Sequence, residues 1–260
     1  MNVRAYGNDE RLVFCREYLY KSKLSGVSEV LLLPIPSSRG VDTDKLLSDV
    51  EEIVRATERF ANARRSDNIL VAGYGIPKGI RDALAALGAL ILDVSLDEGF
   101  TLENARLTAI AALARLLNDE RAAPCELSIG IVGYGRIGSA LLGLLLALGA
   151  RPVVFTANET ARLELGISGV PTASYCTLKD GEGLHGVGHL DVVFNTAPAA
   201  IVGEGASSAL KDTKILELAS GENFPEGLKV VRLPSLPAKM YPKSAGICLA
   251  KSILRMLGEG

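Results

Sequence analysis

A glycine-rich turn between an apolar segment and a helix constrains this chain more than any other feature. The turn is Gly133-Tyr134-Gly135-Arg136-Ile137-Gly138, and the apolar segment 127–132 leads directly into it. In such a turn the first glycine permits a tight bend, the second lets a pyrophosphate approach the backbone, and the third lets the helix pack closely. Free N–H groups at the start of the helix attract negative charge. The pattern therefore predicts a dinucleotide-binding domain of the Rossmann type. A tight strand–helix turn without a ligand is the alternative.

Apolar runs alternate with amphipathic segments along the rest of the chain, which favours an α/β fold with parallel strands. The first lobe is predicted to contain strands at 3–6, 30–33, 69–72 and 89–93, and helices at 9–21, 44–62 and from 77. The second lobe is predicted to contain strands at 127–132, 152–156, 170–173, 190–195, 213–218 and 229–233. We therefore expect a Rossmann-type doubly wound parallel sheet plus a smaller, shortened Rossmann-like N-terminal lobe.

The same pattern predicts where the domains meet. The expected parts are an N-terminal substrate lobe at 1–99, a connector helix at 100–120, a dinucleotide-binding domain at 121–235, and a C-terminal crossing loop and helix at 236–260. The connector is predicted as a helix over Phe100–Asn118 and the last helix over Ser244–Leu257. We expect that last helix to pack back on the first lobe.

Composition and charge exclude several classes of partner. The net charge is −2 and no long run of either sign occurs, so neither nucleic acid nor a membrane surface is an expected partner. The first residues lack the apolar core of a signal peptide, and no segment reaches the roughly 18 apolar residues of a spanning helix. The four cysteines, at positions 15, 125, 176 and 248, match neither a metal site nor a disulfide framework. We expect a cytoplasmic protein with reduced thiols and no metal.

The end of the second strand of the nucleotide domain bears on the choice of cofactor. NAD sites usually place an acidic residue there to bind the ribose 2′-hydroxyl, but residues 155–158 are uncharged. Thr156 and Asn158 could bond a 2′-phosphate without repelling it, and Arg162 could pair with it. The cofactor is therefore predicted to be NADP, with NAD less favoured. The alternative is that Arg162 is only a solvated helix residue.

Two further strand ends are predicted to hold the nicotinamide. Ligands of open α/β sheets bind outside the carboxyl ends of the strands, and small residues there let a flat ring lie against the backbone. The candidate contacts are Asn195, Thr196, Pro198, Ala219 and Ser220. A generic turn remains the alternative for this segment.

Few side chains suit the chemistry of hydride transfer. The two histidines, His185 and His189, occur in a glycine-rich segment that is predicted to be a surface loop. No histidine is placed as the proton donor that reduction of a 2-keto acid normally requires. The proline-stiffened tail 233–246 instead presents Lys243 and Ser244 beside a helix start, which suits a carboxylate. A rigid linker with solvated lysines is the alternative.

Together, these motifs resemble those of the A subunit of dipicolinate synthase over nearly the whole chain. The segment Tyr6-Gly7-Asn8-Asp9-Glu10-Arg11 is similar to the family's G-G-D-x-R, and the tail Leu236-Pro237-x-Lys239-x-x-Pro242-Lys243-Ser244-Ala245-Gly246 is similar to its G-L-P-G-x-x-A-P-K-T-A-G. Further matches are Ser37-Ser38-x-Gly40, the segments 103–109 and 133–138, Asn195-Thr196-x-Pro198 and Leu218-Ala219-Ser220.

The resemblance implies an NADP-linked oxidation of a dihydrodipicolinate-type precursor to pyridine-2,6-dicarboxylate, the spore metabolite. It also implies a partner, the small flavoprotein that forms the B subunit of dipicolinate synthase, and leaves self-association open. The dicarboxylate is expected in a cleft between the lobes, and the catalytic base is unidentified. The candidate substrate-binding residues are Ser37, Ser38, Glu103, Lys243 and Ser244.

The chain also departs from the family's pattern. The first lobe is shortened, because one strand unit is missing after Lys21. Asn8, Ser235 and Ala238 replace glycines, and Gly221-Glu222-Asn223 replaces an Arg-Pro-Gly-Gly run. Two rival functions follow, a 2-hydroxyacid dehydrogenase-like oxidoreductase and a non-catalytic NAD(P)-binding scaffold. The missing histidine disfavours the first, and the shortened lobe favours the second.

Overall fold

The computed structural model describes residues 1–22, 24–37, 42–59, 69–174, 187–198, 207–221 and 223–259. These residues form two compact units. Unit 1 comprises Met1–Asn104 and Pro237–Gly260, and unit 2 comprises Ala105–Leu236. None of the helices found in the described ranges has both the length and the apolar character needed to cross a bilayer.

Unit 1 is built on a parallel sheet of four strands in the sequential order β1-β2-β3-β4. Leu31 and Leu33 pack with Val71 and with side chains of the helices, including Leu46 and Leu84, in one core. The strand residues that point the other way are also buried, which explains the continuous apolar runs in the sequence. The elements are β1 (Asn2–Ala5), α1 (Arg11–Ser22), β2 (Glu29–Leu32), α2 (Thr43–Arg59), β3 (Ile69–Gly73), α3 (Lys78–Ala86) and β4 (Leu90–Asp93).

The sequential order leaves β1 at the edge of the sheet of unit 1. In the common doubly wound order 2-1-3-4-5 the second strand flanks the first, so removal of that strand leaves a sequential order. The arrangement therefore agrees with the strand unit expected to be missing after Lys21. The N–H of Val3, on the open side of β1, donates to the Tyr20 hydroxyl of α1 at 3.3 Å.

Unit 2 contains a parallel sheet of six strands in the order β10-β9-β8-β5-β6-β7. Counted from its own first strand this order is 3-2-1-4-5-6, the Rossmann arrangement, so the predicted fold class is confirmed. The order reverses at β5, which has β6 on one side and β8 on the other. The elements are β5 (Ile129–Val132), α5 (Arg136–Ala147), β6 (Val153–Phe155), α6 (Glu159–Ile167), β7 (Thr172–Ala173), β8 (Val192–Asn195), β9 (Lys214–Glu217) and β10 (Lys229–Arg232).

The remaining helices differ in detail from the sequence expectations. Helix α4 (Glu98–Asp119) begins two residues before the predicted Phe100, because the Asp97 carboxylate accepts the N–H groups of Gly99 and Phe100 and caps it. Helix α8 (Pro242–Met256) likewise begins before the predicted Ser244, with a proline at its first position.

The predicted rigid loop before α8 is wrong in part, since residues Leu236–Met240 form a short helix, α7. Pro237 is the second residue of that helix, where a missing N–H costs no helical hydrogen bond. Helix α8 belongs to unit 1 and packs against α1. A side chain at Gly246 would overlap the carbonyl oxygen of Arg11, so this contact requires glycine.

Candidate functional site

The glycine turn lies at the carboxyl end of β5, where the strand order of unit 2 reverses. Gly133 has φ +95, and a side chain there would lie 2.5 Å from the Thr196 hydroxyl. A side chain at Gly138 would overlap the carbonyl oxygen of Gly133. A side chain at Gly135 would meet no atom of the described residues within 4 Å. The protein itself therefore requires the two outer glycines, whereas Gly135 faces open space that a ligand could enter.

The start of α5 provides the donors of this turn. Gly135 is the N-cap residue and offers no side-chain cap. The first N–H groups of a helix have no partner within it and carry partial positive charge. Gly135 and Arg136 are exposed, Tyr134 and Ile137 are half-buried, and Gly138 is buried. The turn can therefore hold an anionic group such as a pyrophosphate.

Thr156, Asn158 and Arg162 come together after β6. The buried Thr156 hydroxyl accepts the N–H of Asn158 at 3.3 Å, and the Asn158 side chain caps α6 by accepting the N–H of Ala161 at 3.1 Å. Arg162 Nη1 donates to the Thr156 carbonyl at 2.9 Å. Within the described part of the chain, Arg162 pairs with no carboxylate. Its guanidinium is thus fixed at the strand end with donors left for a ligand.

The predicted nicotinamide contacts lie at the ends of β8 and β9, on either side of a buried hydrogen-bond network. The Thr196 hydroxyl donates to the Val132 carbonyl at 2.9 Å, which ties the end of β8 to the glycine turn. Asn195 is fully buried, whereas Pro198 and Ser220 are exposed and Ala219 is half-buried. The structure therefore brings these residues together along one edge of the sheet of unit 2.

Glu217 is the residue of this edge that sequence reasoning missed. It is 3% exposed, and its Oε1 accepts the Asn195 side-chain amide at 2.9 Å and the Ala219 N–H at 3.0 Å. Its Oε2 accepts the Asn223 side-chain amide at 3.3 Å. Burial raises its pKa and outweighs the hydrogen bonds and the charge of Arg232, which lower it. An acidic residue closing an apolar strand was the available signal, but its partners depend on strand register.

The predicted substrate residues of unit 1 are dispersed. Ser37 is 1% exposed, and its hydroxyl donates to the Pro34 carbonyl at 3.0 Å and accepts the Tyr74 N–H at 2.8 Å. Ser38 lies outside the described residues. Glu103 is exposed on α4 and bonds Arg255 at 3.3 Å. Lys243 and Ser244 are exposed in the first turn of α8. A role of Ser37 in binding would require its hydroxyl to leave these internal partners.

The segment with Asp9 and Arg11 has a structural role. The two side chains form a buried ion pair at 2.7 Å, and they are 9% and 6% exposed. Arg11 also donates to the Ile35 carbonyl at 2.7 Å, and Asp9 accepts the Ile35 N–H at 3.1 Å. Burial opposes ionisation of Asp9, but the hydrogen bonds and charge of Arg11 outweigh it and hold its pKa below the usual range. The pair therefore fixes the segment that follows β2.

The histidines and cysteines differ in exposure. His189 is exposed and lies 3.4 Å from Asp191, and His185 is outside the described residues. The free thiols of Cys15 and Cys248 are buried, Cys125 is exposed, and Cys176 is outside the described residues. The residues that the structure describes contain no cluster of three or more metal-ligating side chains.

Comparison with known proteins gives one relative by sequence and several by structure. No protein-family model matches the chain. The chain is 30% identical over 139 residues to the dipicolinate synthase A subunit of Bacillus subtilis (strain 168), a match that covers 50% of this chain and 45% of the relative. The aligned part thus spans less than half of that relative's length.

Two dipicolinate synthase structures share the fold over the whole chain. The A chain from Bacillus subtilis aligns with a TM-score of 0.74 and 17% identity, covering 100% of this chain and 96% of the other. The A subunit from Bacillus halodurans gives 0.76 and 16%, with coverages of 100% and 98%. Salmonella D-lactate dehydrogenase gives 0.60 and 13%, with coverages of 100% and 98%. The fold is that of Rossmann-type dehydrogenases, and the predicted resemblance to the A subunit of dipicolinate synthase is confirmed.

Proposed function

We propose that this chain is an NADP-dependent oxidoreductase whose cofactor pyrophosphate lies along Gly133–Gly138. One observation carries the proposal, the open side of Gly135 at the point where the sheet of unit 2 reverses its strand order. Ligands of open α/β sheets bind at such reversal points. The uncapped start of α5 supplies the N–H groups that an anion needs.

Arg162 supports NADP over NAD. Its guanidinium is tied to the Thr156 carbonyl at the end of β6, where a 2′-phosphate would lie, and residues 155–158 are uncharged. A charge-assisted bond from Arg162 to a phosphate would favour NADP. Thr156 and Asn158 shape this end of the site, the latter as the cap of α6.

The nicotinamide would lie against the ends of β8 and β9. When bound, it supplies a hydride acceptor. Asn195, Thr196, Pro198, Ala219 and Ser220 would orient the ring, and Thr196 links this surface to the glycine turn.

The proposed substrate is a dihydrodipicolinate-type precursor, oxidised to pyridine-2,6-dicarboxylate. One hydride would pass to the cofactor and one proton to water, and aromatisation would drive the step. The similarity to the A subunit of dipicolinate synthase supports this choice. Lys243 and Ser244 supply a carboxylate site on unit 1, because they are exposed at a helix start. Since that relative belongs to a multi-subunit enzyme, we also propose the flavoprotein B subunit of dipicolinate synthase as a partner.

Turnover by the purified chain tests the proposal. The chain would be given NADP⁺ with the dihydrodipicolinate-type precursor and, separately, with D-lactate, and NADPH would be followed by absorbance. NADPH formation with the precursor alone is the expected result. Formation with D-lactate would favour a 2-hydroxyacid dehydrogenase. Nucleotide binding without turnover of either compound, both with and without the proposed flavoprotein partner, would favour the non-catalytic scaffold.

A further inference from the structure

We propose that Glu217 is the positioning residue of the nicotinamide side of the site, and that its negative charge holds the ends of β8 and β9 in the geometry that binds the cofactor. The inference rests on the proposed function. Glu217 is buried and bonds Asn195, Ala219 and Asn223, so it acts through these neighbours and not on the cofactor itself.

The geometry places one carboxylate at the junction of three segments. Oε1 receives the side-chain amide of Asn195 and the backbone N–H of Ala219, which belong to the two strand ends proposed to hold the nicotinamide. Oε2 receives the amide of Asn223, which also donates to the Ser220 carbonyl at 3.2 Å. The ionised carboxylate of Glu217 can accept the bonds from Asn195, Ala219 and Asn223 at once, because it is only an acceptor.

The Asn195 side chain carries the effect of Glu217 to the end of β8. Its amide nitrogen donates to the Ala197 carbonyl at 3.1 Å as well as to Glu217, and its amide oxygen accepts the Ala197 N–H at 3.2 Å. Thr196, between Asn195 and Ala197, donates its hydroxyl to the Val132 carbonyl. A change at Glu217 therefore reaches the strand that feeds the phosphate turn.

Protonation removes the basis of this arrangement. Asn195, Ala219 and Asn223 all donate to Glu217, so protonation replaces these charge-assisted bonds with weaker neutral ones and adds a donor to a group that is surrounded by donors. Arg232 of β10 is a charged group that acts on Glu217 from the neighbouring strand. Glu217, Glu226 and Arg232 all line one cavity of about 530 Å³. β8 and the segment after β9 contact Glu217 with amide groups.

The sign of the pH effect separates positioning from simple acid unfolding. Burial raises the pKa of Glu217 above its ordinary value of 4.5, so the folded chain holds the proton at pH values where the unfolded chain has lost it. The contribution of Glu217 to folding stability is therefore greatest at low pH and is lost as pH rises through the folded-state pKa. Cofactor affinity should move the opposite way and fall as the pH falls.

Calorimetry of NAD⁺ binding from about pH 8 to about pH 5 tests the inference. NAD⁺ is the probe because it lacks the 2′-phosphate of NADP⁺, and that phosphate itself titrates at about pH 6. Wild-type affinity should fall on acidification, while the thermal stability of the wild type relative to Glu217→Gln should rise. Glu217→Gln mimics the neutral acid and should bind weakly at every pH.

Glu226→Gln is the matched control, since it removes the charge of an exposed glutamate lining the same cavity. It should keep the wild-type pH profile. A wild-type affinity that does not change with pH would overturn the inference without a variant, as would an unchanged pH profile in Glu217→Gln. No NAD⁺ or NADP⁺ binding at any pH would instead overturn the proposed function.

Discussion

Units 1 and 2 both contain parallel sheets with buried central strands, but the carboxyl edges of these sheets are filled differently. In unit 1 the strand order is sequential, and side chains of the described residues bond the backbone along this edge. Arg11 and Asp9 bind both backbone groups of Ile35, and Ser37 bonds Pro34 and Tyr74. In unit 2 the order reverses and the turn at Gly135 faces open space.

The end of β4 completes this closed edge in unit 1. The buried Asp93 carboxylate accepts the N–H groups of Gly75 and Ile76 at 2.8 and 3.0 Å and the Ser95 hydroxyl at 2.6 Å. Burial opposes its ionisation, but these hydrogen bonds outweigh burial and hold its pKa low. Parallel strands alone therefore do not make a ligand site. In this chain, the open side of the glycine turn coincides with the strand-order reversal of unit 2.

The largest expected effect comes from breaking the Asp9–Arg11 ion pair at the carboxyl edge of unit 1. Arg11→Met leaves the buried Asp9 carboxylate without its cation, so it should lower the free energy of unfolding by about 3–5 kcal/mol. Denaturant unfolding measures this. Arg55→Met, which removes an exposed arginine of α2 paired with Glu51, should change stability by less than about 0.5 kcal/mol. Equal effects of the two variants would mean that the ion pair does not hold the edge of unit 1 together.

The next largest effect comes from filling the open space beside Gly135. Gly135→Val places a branched side chain where the pyrophosphate should approach, and should weaken NADPH binding at least about 100-fold, or about 2.7 kcal/mol. The melting temperature should hardly change, because no atom of the described residues lies within 4 Å of the new Cβ. Gly143→Val, on the exposed side of α5 with equal room, should leave binding intact. Calorimetry with both variants distinguishes a ligand turn from a purely structural one.

Lys243 tests whether unit 1 binds the substrate. Lys243→Met keeps the apolar stem and removes the charge. Because a hydrogen bond to a charged group contributes about 1.5–3 kcal/mol, kcat/KM should fall roughly ten- to a hundred-fold. NADPH affinity and the melting temperature should not change. Lys251→Met, a second exposed lysine of α8, is the control. A drop in stability with unchanged turnover per folded molecule would assign the residue a structural role.

The preference for NADPH over NADH tests whether Arg162 binds the 2′-phosphate of the cofactor. NADPH should bind about tenfold more tightly than NADH, a difference of about 1.4 kcal/mol. Arg162→Met should abolish that difference, since the 2′-phosphate would lose its cation, and Arg151→Met, an exposed arginine before β6, should preserve it. Equal binding of the two cofactors by the wild type would contradict the NADP assignment.

The smallest effect concerns Ser235, which lies near the point where the chain leaves unit 2. Ser235 has φ +57, a left-handed conformation that costs a non-glycine residue about 1–2 kcal/mol. Glycine relieves this cost but gains about 0.4–1 kcal/mol of unfolded-state entropy. Ser235→Gly should therefore stabilise the fold by about 0.5–1 kcal/mol in thermal unfolding. Ser168→Gly, at a negative φ, should destabilise it.

Local patterns were enough to predict the glycine turn and most of the strands. Each strand is a short apolar run, and the turn combines three glycines with a strand before it and a helix after it. The proline-rich tail was misjudged, because Pro237 and Pro242 suit the first turns of two helices as well as they suit a loop. The same residue type allowed both structures, and only packing distinguishes them.

Long-range pairing explains what the sequence did not reveal. Glu217 meets Asn195 only because β9 lies beside β8 in matching register, 22 residues away along the chain. Asp9 likewise meets the backbone of Ile35 through the pairing of β1 and β2. Ser37 has a sequence context typical of a binding loop, yet the close approach of Gly73 buries its hydroxyl.

The hydrogen bond from Val3 to Tyr20 has a consequence for solubility. A sheet that ends at β1 exposes backbone donors and acceptors on which a strand of another molecule could add, and such edges promote aggregation. The phenol of Tyr20 occupies one of those donors from within the same chain. An incoming strand would have to displace it before forming a continuous ladder. A side chain of a neighbouring helix can thus occupy a backbone donor on the open edge of a sheet.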